Sequence, residues 1–252
     1  MNVFDFHLHP GYDFHGPALE YHNFCEPLKQ DGITKCAGSY ISVNGQKRPV
    51  EEYATIIPEY NRLAWAFHDA DPDFFIPGIH IHPDHQEISL QEIEKHRQKG
   101  GILIGELVPY MMGWDFTHKG ILPLLAYIRD LGMVISIHPP RDISPIEQIM
   151  SQLPDLKLVV AHLGGYDLYN KTLSLIKRYD NVYADISAHG TDFPDIISGA
   201  VNLVGSERIL YGSDYPGYKT EPFINSILKS PISVTDKENI LYNNAANLLQ
   251  IT

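Results

Sequence analysis

Cysteine, basic residues and long apolar runs are all scarce in this sequence, and each shortage removes a class of protein. Two cysteines, Cys25 and Cys36, are too few for a disulfide framework, and nothing around them suggests a zinc ribbon. Lys and Arg number 19 against 31 Asp and Glu, a formal net charge of −12. A nucleic-acid surface needs clustered cations, so that partner class is excluded and the charge reads as a solvated acidic exterior. No apolar run is long enough to cross a bilayer, and charge and histidine interrupt the apolar start where a signal peptide would lie. A cytoplasmic protein with no membrane partner is the expectation. No Gly-x-Gly-x-x-Gly follows the first candidate strand, which removes the main support for a dinucleotide fold. Neither a composition break nor a low-complexity linker divides residues 1–252, so one domain is expected.

Histidine, by contrast, is abundant, with 13 in the chain. The first two fall in Val3-Phe4-Asp5-Phe6-His7-Leu8-His9, a short alternating run. Side chains of a strand alternate faces, so Val3, Asp5, His7 and His9 are expected on one face and Phe4, Phe6 and Leu8 on the other. Two imidazoles at i and i+2 can converge on one ion of zinc or a neighbouring metal. His-x-His alone says little, and its meaning depends on what recurs further along.

Eight short runs rich in β-branched residues alternate with helical patterns. After the first strand they are Thr34–Ser42, the Phe74–Pro83 region, Gly101–Leu107, Met133–His138, Lys157–His162, Asn181–Ser187 and Arg208–Asp214. Helices are expected at about Ala18–Gln30, Glu51–Ala70 with Pro58 opening its better part, Ser89–Lys99 with Ser89 as N-cap, and Gly120–Leu131. Further helices are expected at Ser144–Gln152, Asp167–Tyr179, Asp192–Val204, Glu221–Lys229 and Thr235–Leu249. This βα rhythm at this length fits a closed (β/α)8 TIM barrel better than an open doubly wound sheet. In such a barrel the catalytic groups sit at the carboxyl ends of the strands. Those ends carry His7 and His9, then Glu106, His138, His162 and Asp214. A structural histidine at one strand end is ordinary, but ligand-type residues in register at five ends are not.

The set resembles the amidohydrolase superfamily of metal-dependent barrels, and most closely its amidohydrolase-related branch, which includes aminocarboxymuconate-semialdehyde decarboxylase-like enzymes. The resemblance is carried by Asp5-Phe6-His7-Leu8-His9, Ile137-His138-Pro139, Ala161-His162-Leu163-Gly164-Gly165, Tyr211-Gly212-Ser213-Asp214-Tyr215-Pro216 and the closing Asn243–Leu249 segment. It implies that His7, His9, His138 and Asp214 bind a divalent metal, zinc first and manganese or iron next. Asp214 would also be the general base, and His162 would bind a second metal or the substrate. One departure stands out. Where two-metal members carry a carboxylated lysine on the fourth strand, this chain has Ile104-Gly105-Glu106-Leu107. Glu106 either bridges two ions, as in TatD-like nucleases, or holds a ligand histidine from behind. One or two ions therefore stays open.

Candidates for substrate contact are Arg141, whose guanidinium suits a carboxylate, His82 from the second His-x-His at His80 and His82, and Trp114. Trp114 lies in the aromatic, Met-rich loop Val108–Lys119, which can cap a flat substrate or pack on a second copy of the chain in a homodimer. Asp185 reads as a buried hydrogen-bonding group, His189 as a rim residue, and His15 as surface. The leading expectation is hydrolysis of a small-molecule amide, ester or lactone by metal-activated water. The alternative is non-oxidative decarboxylation of a small unsaturated or aromatic carboxylate at the same site. A phosphodiesterase and a ligand-binding barrel without chemistry are weaker readings.

Overall fold

The computed structural model describes residues 1–11, 20–41, 48–164, 168–188 and 194–251. His15, Asn44-Gly45, Gly165 and His189 lie outside the described residues, as do the expected helix starts at Ala18, Asp167 and Asp192. Eight strands pair in parallel in chain order: β1 (Phe4–Leu8), β2 (Lys35–Ser39), β3 (Phe75–Ile79), β4 (Leu103–Leu107), β5 (Val134–Ile137), β6 (Lys157–Val160), β7 (Val182–Asp185) and β8 (Ile209–Leu210). The ring closes between β1 and the segment after β8. Phe6 N donates to Tyr211 O at 2.9 Å, Asp214 N to His7 O at 2.8 Å and His9 N to Tyr215 O at 2.8 Å. The fold is a (β/α)8 TIM barrel.

Helices α1 (Tyr21–Gln30), α2 (Tyr53–Ala70), α3 (Gln86–Gln98), α4 (Ile121–Asp130), α5 (Ser144–Gln152), α6 (Leu168–Arg178), α7 (Pro194–Val204) and α8 (Thr220–Lys229) alternate with the strands. In α6 the buried stripe is Leu168, Leu173, Leu175 and Ile176 with Thr172 among them, at helical spacing, whereas α3 buries the polar Ser89, Glu92 and His96 beside Ile93. A second core lies inside the ring. Phe4, Phe6, Ala37, Leu103, Val134, Val159 and Leu210 cluster together, and residues drawn from six strands meet only in the lumen. Ala245, Ala246, Leu248 and Leu249, in and just after the last helix α10 (Asn244–Leu248), pack on the same cluster and seal its floor.

Four local expectations fail for identifiable reasons. The alternation of the first strand breaks because the β1–β2 register shifts between Asp5 and Leu8. Phe4 and Phe6 therefore fill the lumen, whereas Leu8 joins the core between sheet and helices. Pro58 does not begin a helix but lies within α2. It removes one backbone donor there, which the burial of Tyr53, Ile57, Ala64 and Trp65 outweighs. Ser89 is not an N-cap, since α3 starts at Gln86. Its buried hydroxyl donates to His82 O at 3.0 Å and accepts from His82 N at 2.9 Å, clamping the turn after β3. The closing helix expected over Thr235–Leu249 is interrupted. Ser233 caps α9 (Val234–Glu238) in a capping box with Asp236, and a π-helical turn, Asn239–Asn243, leads into α10.

Candidate metal centre

The strand ends deliver six ligand-type side chains to one end of the ring. His7 lies in β1 with His9 just beyond it, Glu106 is in β4, His138 directly follows β5, His162 lies two residues past β6, and Asp214 comes from the turn after β8. Their ring and carboxylate atoms converge. His7 Nε2 and His9 Nε2 are 3.2 Å apart, and Asp214 Oδ1 is 3.7 Å from each. Glu106 Oε2 lies 3.1 Å from His9 Nε2 and 3.5 Å from His7 Nε2. Its other oxygen, Oε1, lies 3.3 Å from both His138 Nδ1 and His162 Nε2, which are themselves 3.1 Å apart. The donors of His7, His9 and Asp214, and those of His7, Glu106 and His162, are each mutually close enough to hold one ion.

The outer hydrogen bonds decide what these atoms present. His9 Nδ1 faces the Ser39 carbonyl at 3.0 Å, and His7 Nδ1 faces Asp185 Oδ2 at 2.8 Å. Both partners only accept, so each Nδ1 carries a proton, and in the neutral imidazole each Nε2 turns its lone pair inward. With both rings neutral those lone pairs face each other at 3.2 Å, and Glu106 adds a buried carboxylate whose Oε1 receives no hydrogen bond. The arrangement is short of positive charge. Burial opposes charging His7, but the Asp185 and Glu106 carboxylates prevail and raise its pKa well above the imidazole range. Burial likewise opposes charging His162, which Glu106 overcomes, and burial opposes ionising Glu106, which His7 overcomes. Imidazole and carboxylate donors with an orphaned buried oxygen fit a divalent cation.

Backbone strain appears where the donors turn inward. His162 and Asp214 both occupy left-handed conformations, at φ 61° and 63°, which cost a non-glycine residue about 1–2 kcal/mol each. They are held there by hydrogen bonds: His162 N donates to Asp185 Oδ1 at 3.2 Å, and Asp214 N to His7 O at 2.8 Å.

The suggested substrate contacts fare differently. His82 is buried with both ring nitrogens engaged, by Met112 O at 2.9 Å and Asp84 N at 3.2 Å, and it stacks on Tyr53. Trp114 is 7% exposed and packs on Phe116 of its own loop and on His82 after β3. The exposed aromatic of that loop is Tyr110, 57% accessible with its ring centroid 5.0 Å from that of His138. Arg141 is exposed on the loop after β5. Sequence reasoning gave Ser187 no role, and nothing in its spacing marked it. Its hydroxyl lies 2.9 Å from His162 Nδ1 and 3.1 Å from His7 Nδ1.

The sequence pattern of the family described as amidohydrolase matches residues 4–251. The chain belongs to the amidohydrolase family. Within a stretch of 122 residues it is 30% identical to 2-amino-3-carboxymuconate-6-semialdehyde decarboxylase of Caenorhabditis elegans, a match spanning 41% of this chain and 30% of that protein. By fold this amidohydrolase is similar to 5-carboxyvanillate decarboxylase from Sphingomonas paucimobilis (TM-score 0.78, 15% identity, covering 100% of this chain and 99% of that one). It is also similar to a dihydroxybenzoic acid decarboxylase from Polaromonas with bound manganese and the inhibitor 2-nitroresorcinol (TM-score 0.76, 13% identity, covering 100% and 98%). These relatives correct the leading expectation of carbonyl hydrolysis, because the reactions they are named for are decarboxylations. The physical reason for the misreading is plain: one set of imidazoles and carboxylates around a cation serves either reaction, so the donors alone do not select between them. No helix among the described residues is long and apolar enough to cross a membrane.

Proposed function

We propose that this amidohydrolase is a metal-dependent, non-oxidative decarboxylase of a small unsaturated or aromatic carboxylate. The observation carrying the reading is the crowded donor cluster around Glu106, short of positive charge, in a chain whose aligned stretch resembles a semialdehyde decarboxylase. His7, His9 and Asp214 would hold one divalent ion, with Glu106 Oε2 beside them. Glu106 Oε1, His138 and His162 line the other side of the carboxylate. Zinc suits the imidazoles, and manganese, present in the Polaromonas relative, is the first alternative to test. Such an ion supplies Lewis acidity, drawing electron density from substrate oxygens.

The remaining steps fall to the chain's own side chains. Loss of carbon dioxide breaks the bond between the carboxylate and its carbon and leaves the electron pair on that carbon, which must take one proton. Asp214, part-exposed at the mouth, would carry it from solvent, its carboxyl serving first as acid and then as base. His162 would hydrogen-bond the substrate, Tyr110, whose ring lies beside that of His138, would lie against a planar ring, and the exposed Arg141 would meet an anionic group at the rim. The test is product analysis with ortho-hydroxy aromatic acids and unsaturated semialdehyde acids. Carbon dioxide release, one deuterium at the vacated carbon in heavy water, and no oxygen from labelled water in the organic product are expected. Oxygen incorporation without carbon dioxide overturns the proposal.

A further inference from the structure

Behind the donors lies a group on β7 with no part in the reaction proposed above. Asp185 is wholly buried, and all four of its contacts run to the site or its support. Oδ2 takes the His7 Nδ1 proton at 2.8 Å. Oδ1 accepts from Ser187 N at 2.9 Å, His162 N at 3.2 Å and the Ser187 hydroxyl. The Ser187 hydroxyl has one proton. If it were given to His162 Nδ1, the oxygen would face Asp185 Oδ1 lone pair against lone pair at hydrogen-bond distance. Given to Oδ1, it leaves the hydroxyl oxygen as an acceptor for His162 Nδ1–H at 2.9 Å and a second acceptor for His7 Nδ1–H at 3.1 Å.

We propose that Asp185 and Ser187 form a positioning pair that fixes His7 and His162 in the tautomer with Nε2 unprotonated. One carboxylate on β7 thus aims donors on β1 and β6, directly in the first case and through a hydroxyl relay in the second. Gly212 fits the same construction: a Cβ there would stand 2.7 Å from His7 Cβ and 3.4 Å from Asp185 Oδ1, so no side chain intrudes on the pair. The inference rests on the reading that both Nε2 atoms face a bound cation or substrate, and it concerns how they come to do so. Outer partners of ligand histidines commonly govern affinity at the level of tens of fold.

The test uses the whole chain, metal-free and labelled with 15N at histidine, held at a pH high enough that both rings are neutral despite the neighbouring carboxylates. Ring 15N–1H correlations distinguish the two tautomers. Wild type is expected to show Nδ1–H at both His7 and His162. Ser187→Ala should move His162 towards Nε2–H while leaving His7 in place, and should weaken Mn²⁺ binding by about 10–100-fold in titration calorimetry. Ser187→Thr, which keeps the hydroxyl, should restore both; if Ser187→Ala does not fold, wild type and Ser187→Thr still decide. Nε2–H at His162 in wild type overturns the pair, as does Ser187→Ala with unchanged tautomer and Mn²⁺ affinity. Because no substrate is present, these outcomes are separate from those of the decarboxylation assay.

Discussion

Asp5 sits at the seam where β1 meets the turn after β8, and it makes the stability of the barrel depend on pH. Its carboxyl is 0% exposed. Oδ1 accepts from His7 N at 3.2 Å and Ser213 N at 3.0 Å, and Oδ2 from Ser213 Oγ at 2.6 Å. Burial outweighs these bonds and pushes the pKa from 3.8 up to about 7. The folded protein therefore binds a proton more tightly than the unfolded chain between those values, so stability falls as pH rises through that window. At 1.36 kcal/mol per pH unit, the rise from 3.8 to about 7 amounts to about 4 kcal/mol, fully lost above pH 7. Asp5→Asn removes the charge and keeps the shape. Its amide would donate to Ser213 Oγ in place of the present bond, at a pH-independent cost of about 1 kcal/mol. Urea unfolding of wild type and Asp5→Asn, both in chelator, should be followed from pH 4.5 to 8.5. The variant is expected to gain on wild type from pH 4.5 to about 7 and to level off above it, by most of those 4 kcal/mol. Parallel curves would refute the reasoning and place the penalty elsewhere.

Asp214→Asn should lower turnover by roughly 10²–10⁴-fold in steady-state assays, with metal content measured alongside to separate lost ligation from lost proton transfer. Tyr110→Ala should raise KM for a planar acid by about tenfold and leave kcat near wild type, whereas Tyr110→Phe should change neither. Gly38→Ala would set a Cβ 1.9 Å from the Leu8 carbonyl oxygen. It should cost about 3 kcal/mol or more in denaturant unfolding, since backbone has to move. Stripping metal with a chelator should lower Tm, and Mn²⁺ at about 100 times its Kd should restore about 2.7 kcal/mol.

The barrel was legible because its signal is repeated: eight β-branched runs alternating with helical patterns leave little choice of topology. The convergence of His7, His9, Glu106, His138, His162 and Asp214 was legible for the same reason, since strand ends of one barrel share a mouth. What failed were single-residue inferences that depend on a neighbour. Ser89 looks like a cap from its flanks, yet it binds His82 from within α3. Phe6 and Leu8 look like one face until the register shift between Asp5 and Leu8 separates them. Trp114 looks like a lid, but its ring is spent on Phe116 and His82 and leaves Tyr110 at the surface. Ser187 was illegible altogether, because a hydroxyl acquires meaning only from the two imidazoles that strands β1 and β6 bring to it. Hydrolysis and decarboxylation were inseparable, because both ask the same donors for the same cation.

The seam between the first and last strands has a consequence for biosynthesis. Asp5 and Ser213, 208 positions apart, are joined across it, and His7 bonds to Asp214 beside them. A ribosome must therefore release most of the polypeptide before β1 acquires its second neighbour, so the nascent N-terminal strand emerges with one pairing edge open. Half-made chains hold two histidines of the set but no cavity to aim them. Chaperone protection is consequently a task for the growing chain and metal loading one for the closed barrel, and truncated products should be aggregation-prone rather than partly active.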